Sequence, residues 1–483
     1  MVAAARSAGE VPYKMGMDRE RGASAMRPWS AAPYNVRPHA PYAAMNHAHQ
    51  IYRARRDAVL KAMHEHAGGG LALVPTAPEV PRNRDSLYPF RHDSYFYYLS
   101  GFPEPEAVVA LIADPDGDRH VLFCRDKNEE REVWDGFRYG PDAAREIFGF
   151  DEAHSIAELR KKLPDIASDR PALFTPLGLF GDWDRQITEL LNEVRNRVRT
   201  GVAAPDEVVD VRGTLDAMRL LKDKHETGLM RRAAVISAAA HRRAMMCARP
   251  GWYEYQVEAE LLHEFLREGA QAVAYSPIVG SGPNACVLHY RDNNRQMADG
   301  DLLLIDAGCE FKGYASDITR TFPVNGKFTG PQKDIYELVL ATQLACIDAV
   351  RPGAQFHDYH AVAERVLAQG FVDLGLCKGP VEQALESGAY KQFYMHRAGH
   401  WLGMDVHDAG LYQVRGDSQQ LAPGMVLTVE PGAYIRPADN VPEHYWNIGV
   451  RIEDDVLVTA AGVEILTIAA PKSVAEVEAA CKR

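Results

Sequence analysis

Two rhythms of apolar residues alternate along this chain. The stretch IYRARRDAVLKAMHEH, beginning just after Met45, carries apolar positions at helical spacing, and ITELLNEVRNRV does the same. Short apolar runs lie between and around them. LALVPT, YFYYLSG, AVVALIA and HVLFCRD each predict a strand, and the aromatic YFYYL run is expected as strand core rather than a ligand-stacking surface. The mixture predicts an α/β domain to about residue 204. AAPDEVVDVRGT then reads as a loop and short strand leading out of it.

The second half opens on a long helix, LLKDKHETGLMRRAAVISAAAHRRAMMCA, with Leu229, Ala233, Ile236 and Ala240 as its buried stripe. Arg249-Pro250-Gly251 ends it, and a second helix follows with Val257, Leu261 and Phe265 on one face. The same unit recurs: DIYELVLATQLACIDAV, then Arg351-Pro352-Gly353, then HAVAERVLAQG. A strand follows each pair, GDLLLIDAG in one case and GMVLTVEPG in the other. In both, an acid (Asp306 or Glu430) stands six residues past one glycine and two before the next. This is the pattern of an internal duplication that sets Asp306 and Glu430 about a pseudo-two-fold axis.

Alternation decides where the acids point. Leu303 and Ile305 face away from Asp306, and Leu427 and Val429 face away from Glu430. Val450 and Ile452 face away from Glu453, so Arg451 shares a face with Glu453. A turn at Lys312-Gly313 makes a hairpin that brings Asp306 and Asp317 onto neighbouring strands. Gly308 and Gly432 are expected to leave room for a metal or substrate. His400 follows a glycine and offers an imidazole nitrogen. Four inward carboxylates repel one another unless cations lie between them. Asp306, Asp317, His400, Glu430 and Glu453 therefore predict two divalent cations per chain, Mn²⁺ before Co²⁺, Zn²⁺ or Fe²⁺. His357 and His360 have helical spacing but no evident partner acid, and are expected on a solvated helix face.

Composition narrows the class. With 483 residues, 46% of them apolar and 25% charged, the chain is an ordinary globular protein of two or more domains. Its net charge of −12 argues against nucleic-acid binding through phosphate neutralisation. No apolar run is long enough to span a membrane. Residues 1–45 lack periodicity and the apolar core of a signal peptide, and are expected as a disordered extension. The seven cysteines are scattered without CxxC spacing, which suits a reducing cytoplasm. Cys309 falls at an odd offset from Asp306 and is expected as a buried, inert thiol.

The segments IVGSGPNACVLHY, LLLIDAGCEFKGYASDITRTFPVNGKFT, MHRAGHWLGMDVHD, MVLTVEPGAYI and GVRIEDD closely resemble the pita-bread metallopeptidases, most closely the aminopeptidase P family. The resemblance covers roughly residues 46–480. It implies an α+β fold in which a creatinase-like α/β N-terminal domain (46–216) precedes a pita-bread metallopeptidase domain (217–483). It assigns the metal ligands as Asp306, Asp317, His400, Glu430 and Glu453, with Asp317 and Glu453 bridging. His289 and His407 line the substrate pocket, Arg451 supports the bridging carboxylates, and His396 matches a further family histidine. Trp134 matches a tryptophan that reaches a neighbouring subunit's active site, the alternative being a domain-core tryptophan. Dimers or tetramers are implied. Arg397-Ala398 departs from the family pattern, where smaller or uncharged residues are common, and is expected to alter the pocket rim.

The implied reaction releases an N-terminal residue that is followed by proline. Two metals share a water and lower its pKa enough to give an attacking hydroxide near neutral pH. Glu430 is the expected general base and then the proton donor to the proline nitrogen. His289, His407 and Arg451 are the other expected catalytic groups. The same ligands would serve an Xaa-Pro dipeptidase. A non-catalytic pita-bread binding module is the reading from another class, and such relatives typically lose metal ligands.

Overall fold

The computed structural model of the chain describes residues 42–482. The expected N-terminal extension lies outside the described residues up to position 41. Its last four positions already belong to the first helix, Tyr42–Ala67.

A six-stranded mixed sheet organises the first half. Its order is Glu152–Ser155, Arg119–Cys124, Val108–Ala113, Gly70–Pro75, Ala172–Thr175 and Glu207–Asp210. Leu71 and Leu73 face a core shared with Leu163, Ile187 and Leu190, while Ala72 and Val74 face another shared with Val59, Met63 and Phe96. Both faces are covered, so the central strands are apolar at every position and read as runs without alternation.

One predicted strand is a helix. YFYYLS lies in the helix Ser94–Ser100, where the Asp93 side chain accepts the Phe96 N–H and the following Gly101, with φ of 63°, closes the other end. A cap at each end outweighs the strand propensity of the aromatics. Their burial is nonetheless structural: Phe96, Tyr98 and Leu99 are core. The domain-core alternative for Trp134 is also overturned. It sits 83% exposed on Glu129–Asp135, a helix with no buried residue.

The helix Arg212–Leu220, absent from the sequence reading, leads into the long helix Lys224–Cys247. A capping box starts the latter, with Asp223 and Glu226 satisfying each other's backbone N–H groups. Ala233, Ile236 and Ala240 are buried as expected, and Leu229 is half-buried. Met230, Ala234, Ser237 and His241 are buried as well, so this helix is packed on more than one side.

Each half of the duplication is a helix pair followed by a three-stranded sheet. Lys224–Cys247 and Glu254–Arg267 precede Ile278–Ser281, Leu302–Asp306 and Thr319–Pro323. Gly330–Ala349 and Asp358–Asp373 precede Val426–Val429, Asp454–Thr459 and Gly462–Ile465. The halves differ in one respect. The Asp306 strand is central in its sheet, whereas the strand before Glu430 is an edge, met on its open side by the irregular segment 398–402. Among the described residues no helix is long and apolar enough to cross a membrane.

A buried charge network ties the segment 404–408 to earlier parts of the chain. Arg219 donates to Asp408 at 2.6 Å and Asp405 at 2.7 Å, and Lys222 donates to Asp408 at 2.8 Å. Arg91 donates to the Met404 carbonyl at 2.8 Å, and Ser94 to Asp405 at 2.6 Å. Burial raises the Asp408 carboxyl, but Lys222 and Arg219 outweigh it and hold the group below the ordinary carboxylate range. Replacing Lys222 by Met strands half of that charge and is expected to cost about 3 kcal/mol in denaturant unfolding. Because the folded value is depressed, the contribution is complete above about pH 4 and vanishes as pH falls through the lowered value. The gap between wild type and variant should close with acidification. A gap independent of pH would contradict the assignment to Asp408.

Candidate metal centre

The site begins where the Asp306 strand leaves its sheet. Asp306 pairs with Ile278 on one side and Thr319 on the other. The chain then forms the hairpin Cys309–Phe311 and Tyr314–Ala315, turned by Lys312 and Gly313 with φ of 50° and 80°. The hairpin folds back so tightly that a Cβ on Gly308 would lie 1.7 Å from the Ser316 carbonyl oxygen. Gly432 likewise faces the Tyr434 hydroxyl and the Val450 carbonyl. These glycines thus make room for the protein's own atoms, and the expectation of metal or substrate there is corrected. Asp317 falls just after the hairpin, between strands rather than within one.

Opposite them, a Cβ on Gly399 would lie 2.0 Å from the Thr428 carbonyl. That close approach sets His400 beside the Glu430 strand, with Thr428 N–H to His400 carbonyl at 2.9 Å and Glu430 N–H to Ala398 carbonyl at 2.8 Å. Glu453 lies between Ile448–Arg451 and Asp454–Thr459. Thr319 fixes it by donating its hydroxyl at 2.6 Å, and the same hydroxyl accepts from Arg451 at 3.1 Å. Arg451 and Glu453 are therefore on one side, as alternation requires. The ion pair of Arg451, however, goes to Asp306 at 2.7 Å and not to Asp317 or Glu453.

All five groups border one cavity of about 430 Å³. His400 Nδ1 faces the Trp401 carbonyl at 2.9 Å, so it carries a proton. Nε2 lies 3.5 Å from Asp317 and 3.7 Å from Glu430, and despite burial these acids lift the imidazole to about 9, so without cations Nε2 holds a proton that a metal would displace. Donor atoms of Asp317, His400 and Glu453 all lie within 4.8 Å of one another. The Tyr275 hydroxyl stands 2.5 Å from both Asp306 and Asp317. One phenol has one hydrogen, so it can donate to only one of them.

The protonation of the cluster shows what it lacks. Burial pushes the Glu430 carboxyl up to about 7, against the pull of His400 and Arg451. Burial and the neighbouring acids raise Asp306 and lift Glu453 far above its usual range. Burial also opposes ionisation of Asp317, but His400 and Tyr275 outweigh it and hold that carboxyl low. Without cations the site cannot hold all its negative charge. Four carboxylates and an imidazole whose Nδ1 is engaged by the Trp401 carbonyl, leaving Nε2 to ligate, suit hard or borderline divalent ions.

Further groups were missing from the sequence reading. Asp455, buried, accepts the Asp317 N–H at 3.2 Å. Tyr434 accepts from Arg451 at 2.9 Å and meets His396 Nε2 at 2.8 Å. His396 Nδ1 faces the Arg397 carbonyl at 2.7 Å, so this histidine is occupied at both nitrogens. His407 packs its ring 4.3 Å from that of His400, and His289 and His407 both stand exposed at the rim. A second cavity of about 670 Å³ opens beyond Glu430 and is bordered by Phe356, Arg397, Leu411 and Tyr412. His357 borders it too. His360 is half-buried, accepts the Ala398 N–H and lies 3.6 Å from Glu364. The expectation of a solvated face without partner acids is therefore wrong for His360, while His357 is half-buried at the cavity edge with no acid beside it among the described residues. Cys309 is buried against the Ala233 carbonyl, its thiol pushed up to about 11 by burial, and is inert as expected.

Two acid-bearing halves facing one cavity, behind a mixed-sheet α/β domain, define the class as a metallohydrolase of pita-bread architecture. Comparison with known proteins agrees. Residues 52–174 match the aminopeptidase P N-terminal domain, and residues 228–460 match metallopeptidase family M24. The Xaa-Pro aminopeptidase of Escherichia coli (strain K12) is 45% identical over 431 residues, which are 89% of this chain and 97% of that protein. The solved Pseudomonas aeruginosa aminopeptidase PepP is 48% identical with a TM-score of 0.87, covering 90% of this chain and 98% of that one. A zinc-substituted E. coli aminopeptidase P solved with product gives 44% identity and a TM-score of 0.86 over the same shares. The chain belongs to metallopeptidase family M24, among its Xaa-Pro aminopeptidase members, and is a divalent-metal hydrolase of that family.

Replacing Gly308 by Ala is expected to push Ser316 away and cost about 3 kcal/mol in unfolding free energy. A variant as stable as wild type would show that the hairpin return is not tight. Replacing Tyr275 by Phe removes the hydrogen between Asp306 and Asp317. Calorimetric titration with Mn²⁺ should then show about tenfold weaker binding. Unchanged affinity would remove the phenol from the site's electrostatics.

Proposed function

We propose that this protein is a two-metal Xaa-Pro aminopeptidase that hydrolyses the bond between an N-terminal residue and a following proline. The observation that carries the reading is His400 Nε2 set among Asp317 and Glu430, in a cavity shared with Asp306 and Glu453. Asp306, Asp317, His400, Glu430 and Glu453 would hold two divalent cations, Mn²⁺ first among them because oxygen donors dominate. When bound, the cations supply an acidified water and a Lewis-acid contact for the scissile carbonyl.

The chain's own groups divide the remaining work. Glu430 takes the proton of the attacking water, and burial that raises its carboxyl to about 7 suits it to do so near neutral pH. It then returns a proton to the proline nitrogen, which carries no hydrogen in the peptide. His289 and His407 hydrogen-bond the substrate backbone from the rim. Arg451 holds Asp306 in place and offsets the cluster's charge. The outer cavity of about 670 Å³ gives room past the proline, which favours peptides over Xaa-Pro dipeptides.

The rest of the reading concerns the whole chain. Residues 46–216 form the creatinase-like domain and 217–483 the catalytic one. The protein acts in a reducing cytoplasm, which agrees with the absence of any disulfide among the described residues. It assembles as a homo-oligomer, and the exposed Val133, Trp134 and Phe137 are the apolar surface that supports this.

The test is hydrolysis of Xaa-Pro-Yaa tripeptides against Xaa-Pro dipeptides, before and after chelation and Mn²⁺ re-addition. Chelation should abolish turnover and Mn²⁺ restore it, with tripeptides the better substrates. Glu430→Gln should lower kcat by about 10²–10⁴-fold. Full activity after exhaustive chelation would sink the two-metal assignment.

A further inference from the structure

The outer cavity holds a cation that no other side chain engages among the described residues. Arg397 borders it and is exposed, and its guanidinium makes no hydrogen bond or ion pair among the described residues. The other guanidinium in this wall, that of Arg451, is consumed by Asp306, Thr319 and Tyr434. The carboxylates bordering the cavity, Asp306 and Glu430, both belong to the inner cluster. The outer end therefore carries a positive charge with no acid opposite it.

Chain geometry fixes roughly how far this charge lies from the reacting centre. The His396 ring stands 3.9 Å from the Glu430 carboxylate. Arg397 is the next residue, about 3.8 Å further along the backbone, and its side chain is long. A tripeptide cut after its first residue places its terminal carboxylate two residues beyond the scissile carbonyl, roughly 7 Å away. Phe356, Leu411 and Tyr412 line the way out with largely apolar surface, against which an unpaired carboxylate would be poorly solvated.

We propose that Arg397 recognises a carboxylate on the leaving side of the substrate, and that its source is the C-terminus of a tripeptide Xaa-Pro-Yaa. The guanidinium fork matches a carboxylate with two parallel hydrogen bonds. The proposal rests on the Xaa-Pro aminopeptidase reading and adds a preference for short peptides with a free terminus. Arg397 acts here on binding, not on the chemical step.

The experiment uses the full-length, Mn²⁺-loaded protein and three peptides: Ala-Pro-Ala, its C-terminal amide, and Ala-Pro-Glu amide. Wild type should favour the free acid over the amide by roughly fivefold in kcat/KM, mainly through KM, and less so at high salt. In Arg397→Gln that ratio should fall to near one, and Arg397→Lys should retain part of it. A ratio near one in wild type, or an undiminished ratio in Arg397→Gln, overturns the proposal. A preference carried equally by the glutamate side chain of the third peptide overturns the assignment to the terminus. Failure of the metal-loaded wild type to cleave any of the three is a separate result, and it sinks the peptidase reading itself.

Discussion

Like charges gathered out of water are the constraint around which this protein is built. Asp306, Asp317, Glu430 and Glu453 converge on one cavity, and Asp317 and Glu453 are almost fully buried. Such a cluster has two ways to persist: protons on some of the acids, or cations between them. The first is visible in the raised carboxyls of Asp306, Glu430 and Glu453. The second is what the donor set supports, since a cation can take the place of the proton that His400 holds among these acids. Unpaired, the arrangement would oppose folding, so the surrounding frame must hold it against repulsion.

That frame is made of backbone contacts as much as of side chains. Glycines at 308, 399 and 432 let neighbouring segments approach closer than any Cβ would allow, which is how separate loops reach one cavity. Behind them Arg320, fully buried, spends its five N–H groups on the carbonyls of Thr319, Glu453, Ala470 and Pro471 and on the Asp454 carboxylate. Lys472 adds a second cation to Asp454 at 2.7 Å. The charge that fixes the Glu453 backbone is thus saturated locally and leaves the cavity electrostatics to Arg451. A similar separation holds at the segment bearing His407, which is anchored by Arg219 and Lys222 through Asp408 rather than through the histidine.

What the sequence revealed and what it hid divide along the range of the interactions. The repeated glycine–acid–glycine spacing, the hairpin at Lys312-Gly313 and the helix stripes were legible because they arise within a few residues. Some local signals went unread. Asp93 and Gly101 cap the helix that holds YFYYLS, and Glu364 stands one helical turn from His360. Other features carry no local trace. Tyr275 lies 31 residues from Asp306 in a segment without periodicity, and Lys222 is 186 residues from Asp408. Thr319 and Arg320 are an intermediate case. They are polar residues in a strand buried at all five positions, which marks a functional wall once burial is known but reads as an ordinary amphipathic strand before.

The duplication explains the geometry of the site, and its breakdown explains the division of labour within it. Asp306 and Glu430 occupy matching places, yet one ends a central strand and the other follows an edge strand. Asp306 accepts from Arg451 at one oxygen, and its other faces the Tyr275 hydroxyl that it shares with Asp317, so both are engaged. Glu430 accepts no hydrogen bond from another side chain among the described residues. The imidazoles nearest to it are those of His400 at 3.7 Å and His396 at 3.9 Å, and it borders both cavities. Two acids of common origin are thus set apart by their surroundings, one fixed and one free. A carboxylate held by two donors is suited to staying in place, whereas one with uncommitted oxygens and a value near 7 is suited to receiving and returning a proton. Symmetry brings the acids together, and the loss of symmetry around them gives only one of them a proton to move.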